Sequence, residues 1–169
     1  MEFSELIRKR YSVRAYRPVP VENEKLQAVL EAARLAPTAA NRQAFQIIVI
    51  HTAGREAELK RIYKADFFTQ APIVLAIVTL PAKNWVRRDG YNYHYLDAGI
   101  VMDHLVLAAT DQGLGTCWIG AFDPAESRRV LGLPNDVEPV AFTPLGYAAD
   151  QPQPKLRKPL AELVRQERW

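Results

Sequence analysis

With 169 residues, 49% of them hydrophobic and 24% charged, the chain is the size of one globular domain with a substantial core, which argues against disorder and against a fibrous fold. The net charge is only +3, the longest apolar runs (such as 47–50 and 73–78) are too short to cross a bilayer, and the acidic opening Met-Glu-Phe-Ser-Glu does not read as a signal peptide, so a cytoplasmic location is expected. A single cysteine, Cys117, cannot form an intrachain disulfide, and with three scattered histidines it offers no spaced metal set; redox chemistry here needs a bound cofactor.

In chain order, a short helix begun near Ser4 carries Arg8, Lys9 and Arg10 in its last turn. From Glu22 to Leu35, the apolar positions Leu26, Val29, Leu30 and Ala33 follow helical spacing, and Pro37 ends the segment. Phe45–Thr52 and Pro72–Thr79 are short, apolar and β-branched, and read as buried strands. Between them lies a surface helix over Arg55–Ala65, with Leu59, Ile62 and Tyr63 inward. Tyr95–Gln112 has few polar faces and should be a central, deeply buried helix stopped by Gly113. Thr116–Gly120 reads as a short strand. Asp123-Pro124-Ala125-Glu126 combines an N-cap, a proline at the first helical position and an acid at the third, opening a helix that ends by Gly132. Pro139–Ala148 is the last core strand, and a proline-rich passage leads to a final short helix after Pro159. No linker or repeat divides residues 1–169, so one domain is expected. Without a run of regular βαβ units, the fold class is α+β, a small sheet covered by helices.

Several chemistries are excluded by pattern. Gly113-Leu-Gly115 with Gly120 is not G-x-G-x-x-G and follows a helix instead of a strand, which argues against a Rossmann site. No Walker A sequence and no G-x-S-x-G elbow is present, and Cys117 has no recognisable histidine partner.

Three segments carry a positive signal. In Arg10-Tyr-Ser-Val-Arg14, extended backbone puts Arg10, Ser12 and Arg14 on one face, with Tyr11 and Val13 anchoring the other. Guanidinium forks suit phosphate oxygens, although basic residues ending a helix also simply complement its dipole. Ala36–Gln43 is a loop of small residues ending in Asn41 and Gln43, whose amides match alternating carbonyl and N–H groups on a ring edge; the same asparagine would also suit a plain turn. Gly113–Gly120, Gly-Leu-Gly-Thr-Cys-Trp-Ile-Gly, lets backbone approach a planar ligand. In addition, ten of the 22 basic residues lie near the two termini, among them Lys155 and Arg157.

Taken together, R-x-S-x-R at 10–14, A-P-T-x-x-N-x-Q at 36–43, G-L-G-T-C-W-I-G at 113–120 and K-x-R at 155–157 resemble the nitroreductase family of flavoproteins. The likeness spans almost the whole chain and is weaker over about 51–95. It implies a three-layer α-β-α homodimer with FMN at the interface. Arg10, Ser12 and Arg14 would contact phosphate, ribityl chain and pyrimidine edge, Lys155 and Arg157 would complete the phosphate clamp, and Asn41 and Gln43 would face the ring from the partner side. Ile119 and Gly120 would present backbone near N5. Two positions depart from the pattern: Ala44 stands where proline is frequent, and Ile119 where larger members carry glutamate. The chain is also shorter than those members.

The resemblance further implies an FMN-dependent oxidoreductase that takes hydride from NADH or NADPH and reduces nitroaromatic, quinone or related acceptors by ping-pong kinetics, with no obligatory side-chain acid or base. Two other readings compete: an FMN-binding or storage protein, or one reduced by a donor other than a nicotinamide, and a nucleic-acid-binding domain using the basic ends. Low net charge and the absence of a nucleic-acid motif argue against the last. Neither membrane nor nucleic acid is expected as a partner.

Overall fold

In the computed structural model, which describes residues 1–169, every residue of the strand Ile73–Thr79 is buried. An unbroken Ile-Val-Leu-Ala-Ile-Val run requires this, because both of its faces must be covered. Four strands, β1 (Phe45–His51), β2 (Ile73–Thr79), β3 (Gly115–Thr116) and β4 (Glu138–Gly146), form one antiparallel sheet in the order β1-β2-β4-β3. Residues Ile47 and Ala141 flank Ile77, and the ladder between β2 and β4 slips at Ile77/Val78, where Pro139 rather than Val140 becomes the next partner. That is a bulge.

The chain forms seven helices, α1 (Phe3–Lys9), α2 (Asn23–Arg34), α3 (Glu56–Ile62), α4 (Phe67–Gln70), α5 (His94–Asp111), α6 (Pro124–Leu131) and α7 (Leu160–Leu163), of which α2 to α6 cover the sheet, α1 packs on α5 and α7 lies in the exposed tail. The pleat sorts the core into two layers. Ile73, Leu75 and Ile77 pack with Leu26 and Val29 of α2 and Ala98, Met102 and Leu105 of α5. The alternate residues Val74 and Ala76 pack with Leu59, Ile62, Phe68 and Phe142, joined by Val130 and Leu131 of α6. Helix, sheet and helix layers therefore stack as the α+β reading requires.

Local signals set the element ends. Asp123 caps α6 by accepting from the Glu126 N–H at 3.0 Å, and Gly132 closes the helix in the left-handed region (φ 62°). Three expectations change. β1 is an edge strand with only Ile50 buried, because its outer side has no neighbour. The strand expected over Thr116–Gly120 pairs regularly only at Gly115–Thr116, since Cys117 turns its N–H to the Thr143 hydroxyl (3.1 Å) and pairing resumes only at Ile119. Helix α5 is central but not wholly covered: Leu96 is 49% exposed, and Gly99, Ile100 and Leu107 on the same side are half-buried.

Candidate cofactor site

The two ends of the chain meet. Residues 12–17 lie against β3 and the end of β4: Ser12 bridges Thr116, Tyr16 bridges Ala148, and Ala149 donates to the Ala15 carbonyl at 2.8 Å. This explains why basic residues far apart in sequence cluster. The alternation across residues 10–14 holds, with Val13 fully buried and Tyr11 packed against the same small core, while Arg14 remains exposed. Gly115 permits the close approach, because a Cβ there would lie 2.6 Å from Cγ2 of Val13.

Where they meet is a recess of about 470 Å³, walled by Arg10, Ser12, Arg14, Asp150, Lys155 and Arg157 among others. None of its four cations is in an ion pair with a carboxylate. The one acid, Asp150, accepts the Tyr11 hydroxyl at 3.1 Å and the Arg14 backbone N–H at 2.7 Å. Burial, and then the Asp150 bond, hold the Tyr11 phenol above its ordinary value of 10.0. Asp150 thus braces the backbone of the basic segment and leaves the guanidiniums free. Converging cations without acid partners have the chemistry that suits a phosphate-sized anion.

Lys155 does a different job from the one expected. Its ammonium donates to the carbonyls of Ile7 (2.8 Å), Arg8 (2.8 Å) and Arg10 (2.6 Å), so all three of its N–H groups are used. It caps the C-terminal end of α1 and pins the tail there. Desolvation, and then the neighbouring Arg10 and Arg157, lower its pKa from 10.5. The crowding of like charge is evident.

Ile119 is a second correction. Its N–H donates to the Phe142 carbonyl at 2.8 Å and its carbonyl accepts from the Phe142 N–H at 3.0 Å, so the sheet consumes the group expected to face the ligand. The neighbouring Gly120 is exposed, its N–H has no partner, and nothing lies within 4 Å of where its Cβ would be. Of the two, only Gly120 can offer its N–H there.

The loop with Asn41 and Gln43 lies elsewhere. After Thr38 comes a single 3₁₀ turn (Ala39–Asn41), with Ala40 (φ 48°), Asn41 (φ 53°) and Gln43 (φ 50°) all left-handed. Such dihedrals in non-glycine residues are strained and cluster at functional sites. The Asn41 side chain is exposed and satisfies no loop backbone group, although its left-handed φ is one that asparagine tolerates in a plain turn; the Gln43 amide makes one long bond to the Asn41 carbonyl (3.3 Å).

This loop abuts the first turn of α5, where Ala39 meets Asp97, whereas Arg10 shares a small cavity with Thr110 and Gly113 at the other end. The helix rises about 20 Å between those points. One chain therefore brings Arg10, Ser12, Arg14 and Arg157 together, with Lys155 behind them, and keeps Asn41 and Gln43 away. Asp150 was missed in sequence, and an acid just past the last core strand was its only signal.

Comparison with known proteins identifies the family and the fold. The Nitroreductase family model matches residues 7–66 and 55–147. A crystal structure of a nitroreductase family protein from Clostridium difficile 630 superposes with a TM-score of 0.90 at 38% identity, over 100% of both chains. An NADH dehydrogenase of Thermus thermophilus is 30% identical over 92% of this chain and 91% of its own, and an FMN reductase [NAD(P)H] of Bacillus subtilis 29% identical over 94% and 70%. The chain belongs to the nitroreductase family.

Proposed function

We propose that the chain is an FMN-dependent NAD(P)H oxidoreductase, with residues 1–169 forming one cofactor-binding unit that works as a homodimer. The observation that carries this reading is the convergence of Arg10, Arg14 and Arg157 on one recess without an acid partner, in a chain of this family. The Bacillus subtilis relative, an FMN reductase [NAD(P)H], supports the choice of cofactor and donor. When bound, FMN supplies the hydride chemistry, and the chain supplies placement. Arg10, Arg14 and Arg157 hold the phosphate, Ser12 lies between them for the ribityl chain, and the Gly120 N–H offers a donor at the ring. Asn41 and Gln43 read the ring edge across the dimer.

The two-chain site follows from the separation along α5. Asn41 and Arg10 stand at opposite ends of that helix, so a twofold axis crossing it brings Asn41 of one copy toward Arg10 of the other. The half-exposed apolar side of α5, with Trp118 46% exposed over Gly99, supplies the face.

Donor and acceptor take turns at one site, giving ping-pong kinetics with nitroaromatic, quinone or related acceptors. The deciding experiment is an absorbance spectrum of the desalted protein, repeated anaerobically with NADH. A flavin spectrum that bleaches supports the reading. Flavin that stays oxidised with both NADH and NADPH would point to a storage protein or another donor, and no binding of added FMN would refute the proposal. Intersecting initial-rate lines would exclude the ping-pong order.

A further inference from the structure

The loop 38–43 is tied mostly to itself. Asn41 N–H donates to the Thr38 carbonyl (2.9 Å), Arg42 N–H to the Ala39 carbonyl (3.1 Å), and Gln43 N–H to the Thr38 hydroxyl (3.0 Å). A single hydrogen bond joins these six residues to the rest of the molecule: the Ala39 N–H donates to Oδ1 of Asp97 at 2.9 Å. Asp97 is only 3% exposed and sits on the apolar stripe of α5 with Ala98, Val101 and Met102, an unusual place for an acid. Its second oxygen, Oδ2, is buried with no partner. A buried acceptor so poorly supplied needs an explanation.

We infer that Asp97 is a positioning residue, whose carboxylate clamps the strained loop so that Asn41 and Gln43 are held ready for the ligand. The inference rests on the proposed reading that this loop faces FMN. Left-handed dihedrals at Ala40, Asn41 and Gln43 persist only where surrounding structure over-determines them, and the loop's own hydrogen bonds would survive its rotation as a unit. The bond to Asp97 fixes that orientation. A carboxylate suits the position because it lies in the first turn of α5, where the unpaired N–H groups of the helix favour negative charge. Asp97 touches neither ligand nor reacting atoms; it acts through the loop.

The test measures FMN affinity by fluorescence quenching in wild type, Asp97→Ala, Asp97→Leu, Asp97→Asn and Asn41→Ala. Loss of the clamp is expected to weaken FMN binding about tenfold in Asp97→Ala, or about 1.4 kcal/mol. Asp97→Leu fills the space without an acceptor and should lose as much, whereas the Asp97→Asn amide keeps an oxygen that accepts the Ala39 N–H and should retain most of the wild-type affinity. Unchanged affinity in Asp97→Ala, or a loss in Asp97→Asn as large as in Asp97→Leu, would overturn the inference. Failure of wild type to bind FMN, or an Asn41→Ala variant that binds as wild type does, would instead remove the reading of the loop. In that case, or if Asp97→Ala does not fold, amide exchange in the wild-type chain decides: a protected Ala39 N–H supports the clamp, and exchange at the unprotected rate refutes it.

Discussion

Replacing Arg10 and Arg14 together with alanine should separate cofactor affinity from folding. Neither guanidinium supports the fold appreciably: Arg10 makes no side-chain hydrogen bond, and Arg14 makes one at 3.4 Å to the Ser12 carbonyl. Stability should therefore change by no more than about 0.5 kcal/mol, as for ordinary surface substitutions. Toward a phosphate the sum is different. A hydrogen bond to a charged group contributes about 1.5–3 kcal/mol, and the open recess argues for the low end, so the pair is worth about 3 kcal/mol, or about 100-fold in affinity. The assay is titration with FMN and with riboflavin, which differ only by the phosphate. Wild type should prefer FMN by about 100-fold or more, and that preference should shrink with added salt, because the charges are exposed. In the double variant the preference should collapse while riboflavin binding stays the same. An unchanged preference for FMN would refute the phosphate assignment. A collapse accompanied by a large fall in melting temperature would show instead that the arginines hold the fold.

Lys155→Met removes an ammonium that caps α1 without reaching the phosphate, so FMN affinity should fall about tenfold and proteolysis within 150–160 should accelerate; a tail cleaved no faster than in wild type would contradict the pinning role. Gly115→Ala forces a Cβ to within 2.6 Å of Val13 and should cost about 1–3 kcal/mol in urea unfolding, whereas Gly120→Ala, with open space around it, should cost under about 1 kcal/mol. Alkaline stability follows from Tyr16 and Cys117, whose pKa values burial raises above the ordinary 10.0 and 9.0. Raised values mean that the folded state keeps protons the unfolded chain gives up, so this stabilisation is intact below about pH 9 and is lost above it, by up to about 1.4 kcal/mol per pH unit for each group. Urea midpoints should fall from about pH 9 upward, and Tyr16→Phe should flatten the upper part of that fall, above about pH 10; an identical slope in the variant would exclude Tyr16.

What could be read from the sequence was local or periodic. The alternation of Arg10, Ser12 and Arg14 needs only extended backbone, and the Asp123 cap needs only its neighbours. What failed depended on pairing between distant segments. The Ile119 N–H is lost to Phe142, 23 residues downstream, and no local pattern announces that bridge. Lys155 was legible as a cation near cations, but not as a cap for a helix that ends 146 residues earlier at Lys9. The strain at Ala40 and Asn41 is equally hidden, because composition carries no dihedral angle; only Asp97, an acid on an apolar helical stripe, hinted at it.

Helix α5 shows why apolar periodicity alone could not settle its role. The sequence predicts a deeply buried helix, whereas in the fold Leu96 is exposed and Gly99 and Leu107 are only half-covered, with exposed Asp103 between them, while Ala98, Val101, Met102 and Leu105 are covered and Ile100 packs at the margin of the core. A monomer gains nothing from leaving those apolar side chains uncovered. The same helix separates the two halves of the proposed ligand set, Asn41 at its start and Arg10 beyond its end, by a rise of about 20 Å. Both anomalies have one solution under the proposed dimer: packing the open sides of two α5 helices antiparallel buries the apolar residues and, in the same movement, completes two ligand sites. The site and the interface are then one structure. A substitution such as Leu96→Asp, at an exposed apolar position of that side, should therefore abolish dimerisation and FMN binding together, and a monomeric variant that still bound FMN with wild-type affinity would show that the separation along α5 had been misread.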